Sequence, residues 1–343
     1  MPPPTSVIHA HGPSGDTSRV TVAVTGATGT FGTGLVPLLV DDARVDGVVG
    51  VSRHPDSGSG LDRRAEHRRG DVRDPDGLAT AIRGADVVVH LAYDITGTTN
   101  PGSVHTVNAE GARDAFRAAV AVGARRFVYA SSLAAYGFSD RNPVGIPESH
   151  PLGVDDPFFY ARDKARSEQL LAAESARHPE VEVHVVRPSG VVGPDLEGAK
   201  LPLPGPLAAL GRRLVAAATA YARLGLPLAV PAFPLQLVHH DDVGAALLRC
   251  ALGDGPPGPY NIAGDGVVTL ADLARELGAR VLHLPAEVAE VPSRAAMTLP
   301  LPLPLQWVAA TTYPAIMDTT RAKEELGWRP RFTGLGAWRD TVR

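Results

Sequence analysis

Short β-branched runs alternate with longer helical segments between residue 20 and about residue 194, and no other feature constrains the fold as strongly. Apolar runs of about 4 to 8 residues are typical of strands buried on both faces of a parallel sheet. Five runs meet this description: VTVAVTG, VDGVVGVS, DVVVHLA, RRFVYASS and VEVHVVRP. Four segments with helical spacing lie between them: GTGLVPLLVDD, PDGLATAIRG, VNAEGARDAFRAAVAVG and YARDKARSEQLLAAESAR. The alternation predicts an α/β fold with a doubly wound parallel sheet.

The alternation weakens after residue 194, and we place a domain boundary there. Residues 20–194 are predicted to form the main domain. Residues 195–343 are predicted to form a smaller substrate-binding lobe, some of whose elements return to the main sheet. Residues 1–19 are rich in Pro, Gly and Ser and are predicted to be a disordered tail.

Composition excludes several classes of function. The net charge is −4 and no run of Lys and Arg is present, so a nucleic-acid partner is not expected. The N-terminus lacks the apolar core of a secretory signal, and prolines break the apolar stretches 201–238 and 297–317, so no membrane span is expected. The single cysteine, Cys250, lies in an apolar run and is predicted to be a buried helix thiol, which fits a cytoplasmic location.

A glycine-rich turn follows the first predicted strand. The segment TGATGTFG carries Gly26, Gly29 and Gly32 and leads into a helix, with the spacing GxxGxxG rather than GxGxxG. Glycines here allow a tight turn and close approach of a pyrophosphate, and the free N–H groups of the helix N-terminus favour phosphate. Residues 20–194 are therefore predicted to be a Rossmann-type NAD(P)-binding domain.

The end of the second strand is predicted to select the dinucleotide. An Asp or Glu at this point would bind the ribose 2′-hydroxyl of NAD. The sequence has Ser52 followed by Arg53, which offers a guanidinium for a 2′-phosphate and no carboxylate to repel one. The cofactor is therefore predicted to be NADP. The alternative is NAD, with Arg53 as a solvated loop residue.

Further motifs resemble the extended short-chain dehydrogenase/reductases, often called the NAD-dependent epimerase/dehydratase family. They run in order along nearly the whole chain: TGATGTFG, DVRD, HLAY, VNAEG, YASSLAAYG, YARDK, RPSGVVGP, LVHHDDV, YNIAG and LGWRP. The resemblance implies a catalytic group of Ser132, Tyr160 and Lys164. It also implies that Ser189 to Val191 pass beside the nicotinamide, and it leaves Asn108 either as a water-mediated support of Lys164 or as a structural residue.

The resemblance and the glycine turn together give a set of predicted cofactor-binding residues. Asp71 and Val72 are implied to contact the adenine, and Leu91 and Ala92 to line the cofactor. The full set is Gly26, Thr28, Gly29, Thr30, Phe31, Gly32, Ser52, Arg53, Asp71, Val72, Leu91, Ala92, Tyr160, Lys164, Pro188 and Val191.

The chemistry requires residues of these types. Hydride transfer at a carbinol carbon must be matched by proton transfer at its oxygen, and a tyrosine with an ordinary pKa of about 10 is a poor base at neutral pH. A cationic Lys164 four residues along the same helix is predicted to lower the pKa of Tyr160. Ser132 is predicted to orient the substrate oxygen by a hydrogen bond.

Departures from the family pattern argue against two of the family's reaction types, dehydration and chemistry on a nucleoside-diphosphate substrate. Leu133 and Ala134 stand where related sugar-nucleotide dehydratases carry an Asp-Glu pair, so dehydration by that route is not expected. Gly190 replaces a frequent Asn, and Leu235 and Gln236 replace an Arg that binds diphosphate in related epimerases. Arg212, Arg213 or Arg223 could still take over that contact.

The substrate is predicted to be uncharged and partly apolar, because the second half contains LPLPGPLAAL, LVAAATAYARLGLPLAVPAFPL and MTLPLPLPLQW. The predicted substrate-binding residues are Tyr93, Ser131, Tyr136, Phe158, Phe159 and Gln236. No metal is expected, since the adjacent His239 and His240 lack ligand spacing and Asp242 is implied to cap the next helix. His90 and His184 are predicted to be packed or hydrogen-bonded rather than catalytic.

We predict an NAD(P)-dependent oxidoreductase that reduces a ketone, or oxidises the alcohol, of a small or apolar metabolite. One alternative is an NAD-dependent sugar-nucleotide epimerase with no net redox change. A second alternative is a non-catalytic dinucleotide-binding regulatory protein, which would keep its phenotype after replacement of Tyr160 by Phe. The resemblance also implies a possible homodimer.

Overall fold

The computed structural model describes residues 19–53, 62–93, 101–194, 227–231, 233–284, 313 and 315–342. The predicted disordered tail lies outside the described residues except for its last residue. Most of the apolar stretches 201–238 and 297–317, with Arg212, Arg213 and Arg223, lie outside them as well.

Thirteen strands are present in the described part of the chain. Their bounds are β1 Val20–Thr25, β2 Val45–Ser52, β3 Glu66–Arg69, β4 Val87–His90, β5 Arg126–Ala130, β6 Glu182–Pro188, β7 Gly190–Val192, β8 Pro227–Pro231, β9 Pro234–Leu235, β10 Leu237–His239, β11 Gly258–Ile262, β12 Val268–Thr269 and β13 Arg280–Leu284. Seven of them form one parallel sheet in the order β11-β6-β5-β4-β1-β2-β3.

Helices cover both faces of this sheet. Their bounds are α1 Thr30–Asp41, α2 Pro75–Ala81, α3 Pro101–Ala121, α4 Phe159–Ser175, α5 His240–Leu252, α6 Leu270–Glu276, α7 Thr320–Glu324 and α8 Gly334–Thr341, with a 3₁₀ helix at Leu133–Tyr136. The chain leaves β1 toward β2 on one side and returns to β4 on the other, so the strand order reverses beside β1. The predicted doubly wound parallel sheet is confirmed.

Alternating side chains on the central strands belong to two separate cores. On β5, Phe127 packs in the core that contains Phe116, while its neighbour Val128 packs in the opposite core with Leu35 and Leu247. Phe116 and Phe127 meet edge to face, with ring centroids 5.4 Å apart. Because successive side chains on a strand point to opposite faces, a central strand must be apolar throughout.

Parts of the region after residue 194 join the main sheet. Strand β11 pairs in parallel with β6 at its edge, and α5 packs against α1 in one of the two cores. The smaller strands form three pairs, β10 with β7, β12 with β9 and β13 with β8. As predicted, Cys250 is buried in α5, and burial raises the pKa of its thiol.

Two details differ from the sequence-based expectations. Strand β3, with the sequence EHRR, was not expected, because an edge strand with four polar residues has no apolar signal. Asp242 does not cap α5, whose N-cap is His239. The buried Asp242 carboxylate instead accepts the backbone N–H groups of Arg331 and Phe332, and so anchors the C-terminal segment. In the described part of the chain, no helix has the length and apolar character needed to cross a bilayer.

Candidate active site

The glycine turn lies in contact with the end of β4. Gly26 has φ of 71°, and a Cβ built on it would lie 2.8 Å from the backbone nitrogen of Ala92. A Cβ on Gly32 would lie 2.2 Å from the carbonyl oxygen of Ala27, so the first turn of α1 packs directly on the preceding loop. The glycines therefore allow close packing of the turn at the crevice beside β1, where doubly wound sheets bind dinucleotides.

The N-terminus of α1 fits a dinucleotide phosphate. Its N-cap is Gly29, which offers no side-chain cap, and no acidic residue lies in the first turn. The first N–H groups of the helix are thus not taken by a side chain in the described part of the structure, and no carboxylate opposes an anion. Three other predicted cofactor residues, Thr28, Thr30 and Phe31, surround this point and are half-buried.

The adenosine end carries cationic side chains. Arg53 is exposed just beyond β2, and the hydroxyl of Ser52 lies 3.1 Å from Nε2 of His67 on the neighbouring β3. Asp71 accepts hydrogen bonds from Arg73, which lowers the pKa of its carboxyl group, with a smaller contribution from Arg53. His67 and Arg73 were missed because the strand and turn that bring them here have no clear sequence pattern.

Ser132 and Tyr160 come together at the carboxyl end of β5. Ser132 is the N-cap of the 3₁₀ helix and accepts the N–H of Ala134 at 3.2 Å. Tyr160 lies in the first turn of α4. Burial raises the pKa of the Tyr160 hydroxyl, and a hydrogen bond with Ser132 lowers it. The two hydroxyl groups predicted to act on one substrate oxygen are therefore within hydrogen-bond reach of each other.

Lys164 is almost fully buried, with an exposed fraction of 3%. Its Nζ donates to the carbonyl of Ala130 at 2.9 Å and to Oη of Tyr129 at 3.4 Å, and it lies 4.0 Å from the ring centroid of Tyr93. Burial lowers the pKa of Lys164 to about 7, against an opposing contribution from Glu168.

The contacts of the Lys164 amine bear on its predicted effect on Tyr160, which stays a prediction. The hydrogen bond that lowers the pKa of Tyr160 comes from Ser132, whereas the Lys164 amine is directed to Ala130 and Tyr129. Burial favours the neutral form of this amine, and the charge of Glu168 opposes that shift.

The aromatic residue of HLAY lies against the catalytic group. The Tyr93 ring stands at 86° to the Tyr160 ring, with centroids 5.6 Å apart, and its face covers the Lys164 amine. Tyr93 therefore contacts two of the three predicted catalytic residues. Leu91 and Ala92, which precede it, border the glycine turn, and their contact with the cofactor stays a prediction.

Four of the predicted substrate residues have contacts within the protein. Ser131 donates to the buried Glu168, and Oη of Tyr136 donates to Asn261 at 2.7 Å. Both amide atoms of Gln236 bond the backbone of Met317, which lies 81 residues away in sequence. Phe158 is 1% exposed and packs against Ala134 and Ala161. These contacts give the four residues a structural role, and their contact with a substrate stays a prediction.

The remaining predicted residues flank the site. Phe159 is half-buried and meets Phe158 edge to face at 5.5 Å. Pro188 ends β6 and Val191 lies in β7, whose pairing with β10 holds the segment after the Arg-Pro pair. The carbonyl of Asn108 accepts the hydroxyl of Ser167 at 2.8 Å, a contact between α3 and α4.

A buried polar network below the catalytic group was missed by sequence reasoning. Arg187 forms a bidentate ion pair with Glu168, and its Nη1 donates to Oη of Tyr136 at 2.7 Å. The only sequence signal was the position of Glu168, four residues after Lys164 on the helix face that packs on the sheet.

The histidines have packing or hydrogen-bonding partners. Nδ1 of His90 lies 2.8 Å from Oγ1 of Thr25, and burial lowers the pKa of its ring to about 3. His184 stacks on Tyr260. Ligand atoms of His239, His240 and Asp241 lie within 4.8 Å of one another. Nδ1 of His239 accepts the N–H of Asp241, and its Nε2 lies 3.2 Å from Asp340 Oδ2, so both ring nitrogens have protein partners without a metal.

Several known proteins are similar to this chain in sequence. An uncharacterised protein of Mycobacterium bovis is 30% identical over 334 residues, which cover 94% of this chain and 83% of that protein. Two characterised relatives match about half of each chain. They are an undecaprenyl-diphosphate-linked N-acetylglucosamine 4-epimerase of Escherichia coli, 30% identical over 181 residues, and sterol demethylase protein B of Methylococcus capsulatus, 33% identical over 181 residues.

The fold is also similar to a solved structure. UDP-glucose 4-epimerase of Thermotoga maritima superposes with a TM-score of 0.69 at 20% identity, covering 94% of this chain and 97% of that one. The family model of the NAD dependent epimerase/dehydratase family matches residues 22–263, which include the glycine turn, Ser132, Tyr160 and Lys164. This chain therefore belongs to the NAD dependent epimerase/dehydratase family.

Proposed function

We propose that this protein is an NADP-dependent oxidoreductase that interconverts a secondary alcohol and a ketone on an apolar metabolite. The observation that carries the proposal is the convergence of Ser132, Tyr160 and Lys164 at the carboxyl edge of the sheet, beside a glycine turn that fits a dinucleotide.

The protein's own residues handle the proton and the substrate oxygen. When bound, the nicotinamide supplies or accepts the hydride. Tyr160 donates a proton to the ketone oxygen or removes one from the alcohol, and Ser132 hydrogen-bonds the same oxygen. Lys164 contributes positive charge below this pair and holds the carboxyl end of β5 through its bond to Ala130.

The choice of NADP rests on the residues at the end of β2. Arg53 is exposed there and positions 52 and 53 carry no carboxylate, so a 2′-phosphate would meet the Arg53 cation, while the nearby Asp71 carboxylate is paired with Arg73. The hydroxyl of Ser52 lies beside Nε2 of His67 on β3.

Three observations support alcohol–ketone chemistry on an apolar substrate. Leu133 and Ala134 have no acid or base to offer for dehydration. The amide of Gln236, at the position where related epimerases place a diphosphate-binding Arg, is occupied by Met317. One relative is named sterol demethylase protein B. The sequences of residues 201–226 and 297–307 are rich in apolar residues, which supports a similarly apolar substrate.

The proposal is tested by replacing Tyr160 with Phe and following nicotinamide absorbance with a panel of apolar ketones and secondary alcohols. We expect turnover to fall by about 10²-fold or more, because the proton donor is lost, while dinucleotide affinity stays within a few-fold. The matched control is Tyr260→Phe, which also removes one phenol hydroxyl. That hydroxyl donates to the carbonyl of Pro256, outside the predicted site. Equal activity of the two variants would contradict the proposal.

An epimerase is the second candidate, favoured by the Escherichia coli relative that acts on a polyprenyl-linked sugar. Such an enzyme would use the same Tyr160 but would show no net consumption of dinucleotide. Separation of the two candidates therefore requires a measurement of cofactor stoichiometry rather than a substitution.

A further inference from the structure

The ion pair between Glu168 and Arg187 is buried next to the predicted catalytic residues. Glu168 and Arg187 are each 5% exposed at their side chains, and their bidentate pair joins α4 to β6. A buried pair of this kind is not in itself evidence of stabilisation, because removing two charges from water costs about as much as their attraction returns. The pair lies next to Lys164 and Ser131, so we consider a role for it in the site as well as in the fold.

Glu168 connects the two elements that carry the catalytic residues. It lies one helical turn beyond Lys164 on α4, and its Oε1 accepts the hydroxyl of Ser131, the residue before Ser132. The carbonyl of Ala130, one residue earlier, accepts Nζ of Lys164. The helix and the strand end are thus joined twice, once through Lys164 and once through Glu168.

Arg187 fixes Glu168 from the other side. Its Nη1 donates to Oη of Tyr136 and to the carbonyl of Glu148, and Tyr136 in turn bonds Asn261 on β11. The carboxylate therefore receives bonds from both Ser131 and Arg187, which hold it in one rotamer.

The charge of Glu168 also acts on the Lys164 amine. The titratable groups near this amine include Tyr93 and Tyr129, whose ring centroids lie 4.0 and 5.1 Å from Nζ, and His90, on which the charge of Lys164 acts. Tyr160 and the buried Asp163 lie on the same helix as Lys164. Burial keeps His90 neutral and raises the pKa values of the phenols Tyr93 and Tyr129. Glu168 is the carboxylate whose charge opposes the effect of burial on Lys164.

We propose that Glu168, held by Arg187, is a positioning residue that keeps Lys164 protonated and sets the Ser131–Ser132 strand end against Tyr160. The role assigned to Ser132, Tyr160 and Lys164 rests on the proposed function. The electrostatic part of the proposal can nevertheless be measured without any substrate.

The composition of the chain makes Lys164 directly observable. The sequence contains three lysines, at positions 164, 200 and 323. Lysine labelled with ¹³C at Cε and ¹⁵N at Nζ will therefore give at most three side-chain signals, and Lys164→Met assigns the one of interest. The titration midpoint of Lys164 is then followed against pH in the full-length protein and in Glu168→Gln.

We expect Glu168→Gln to lower the midpoint of Lys164 by about one pH unit or more, because it removes a close opposite charge and keeps the side-chain volume. The matched control is Glu174→Gln on the same helix, whose carboxylate pairs with Arg117 and Arg177 away from Lys164. The control midpoint should equal that of the unmodified protein. An unchanged midpoint in folded Glu168→Gln would overturn the proposal.

A second variant covers the case in which Glu168→Gln does not fold because Arg187 is left without its counter-ion. Glu168→Gln combined with Arg187→Met removes both buried charges, and the same downward shift is expected. A midpoint that does not move in the folded double variant also overturns the proposal.

An activity profile separates this proposal from the proposed function. If the protein turns over a substrate, Glu168→Gln should move the pH dependence of kcat in the same direction as the Lys164 midpoint, whereas a merely structural residue would lower kcat equally at every pH. If no substrate is turned over, the proposed function fails while the Lys164 titration still decides whether Glu168 acts on the amine.

Discussion

The two glycines of α1 give the sharpest prediction from the structure. A Cβ on Gly32 would lie 2.2 Å from the carbonyl oxygen and 2.4 Å from the carbonyl carbon of Ala27. A Cβ on Gly34 would meet its nearest atom, the carbonyl oxygen of His240, at an ordinary 3.4 Å. The same substitution to Ala therefore has opposite consequences two residues apart on one helix.

The size of each effect follows from these distances. At position 32 the methyl group overlaps backbone by more than ~1 Å, and overpacking of this kind costs about 1–3 kcal/mol. Ala returns up to ~1 kcal/mol of helix propensity at both positions. We expect Gly32→Ala to lower the free energy of unfolding by about 1–2 kcal/mol. Gly34→Ala should raise it by up to ~1 kcal/mol.

Urea unfolding at pH 7 and calorimetric titration with NADP(H) provide the two readouts. Gly32→Ala should also weaken dinucleotide binding by about tenfold or more, since the shift needed is ~1 Å at the first turn of the phosphate-binding helix. Gly34→Ala should bind as the unmodified protein does. Equal stabilities and equal affinities for the two variants would refute the close contact at Gly32 on which the cofactor site is built.

Two further predictions concern single residues. Arg53→Ser should raise the Kd for NADP(H) by about tenfold and leave NAD(H) within about twofold, as measured by calorimetry, since only the 2′-phosphate loses a partner; equal losses for both cofactors would contradict this. Burial lowers the pKa of His184 to about 4, so the unfolded chain binds its proton first as the pH falls from 6.5. The unfolding free energy should therefore decrease between about pH 6.5 and 4 by up to ~3 kcal/mol from this residue, and His184→Leu should flatten that decrease in urea melts. Parallel pH curves for the two proteins would exclude the role of His184.

Sequence patterns predicted the parts of the fold that depend on continuous apolar runs. The β-branched runs that become β1, β2, β4, β5 and β6 are buried on both faces, so their apolar character is visible without tertiary information. Strand β3 gave no such signal, because it lies at the sheet edge and pairs through its backbone. Backbone pairing leaves no trace in side-chain pattern.

The order of motifs led to the predicted catalytic group but not to the contacts around it. Ser132 follows a strand end, and Tyr160 and Lys164 lie on one helix, as the sequence spacing predicted. The contacts of Ser131, Tyr136 and Gln236 depend on partners that are far away in sequence. Gln236 meets Met317 only because of the tertiary fold. The local sequence does not show whether a polar side chain already has a hydrogen-bond partner within the protein. The pKa of Lys164 likewise depends on burial, which spacing alone does not give.

The most direct test of the proposed net redox chemistry is the state and exchange of the cofactor. The purified protein should be extracted and its nucleotide identified, and the stripped protein should be titrated calorimetrically with NADP(H) and NAD(H). We expect weak, exchangeable binding with a clear preference for NADP(H). Tightly retained NAD that does not exchange would contradict both the role of Arg53 and net redox chemistry, and would indicate an epimerase that recycles its hydride internally.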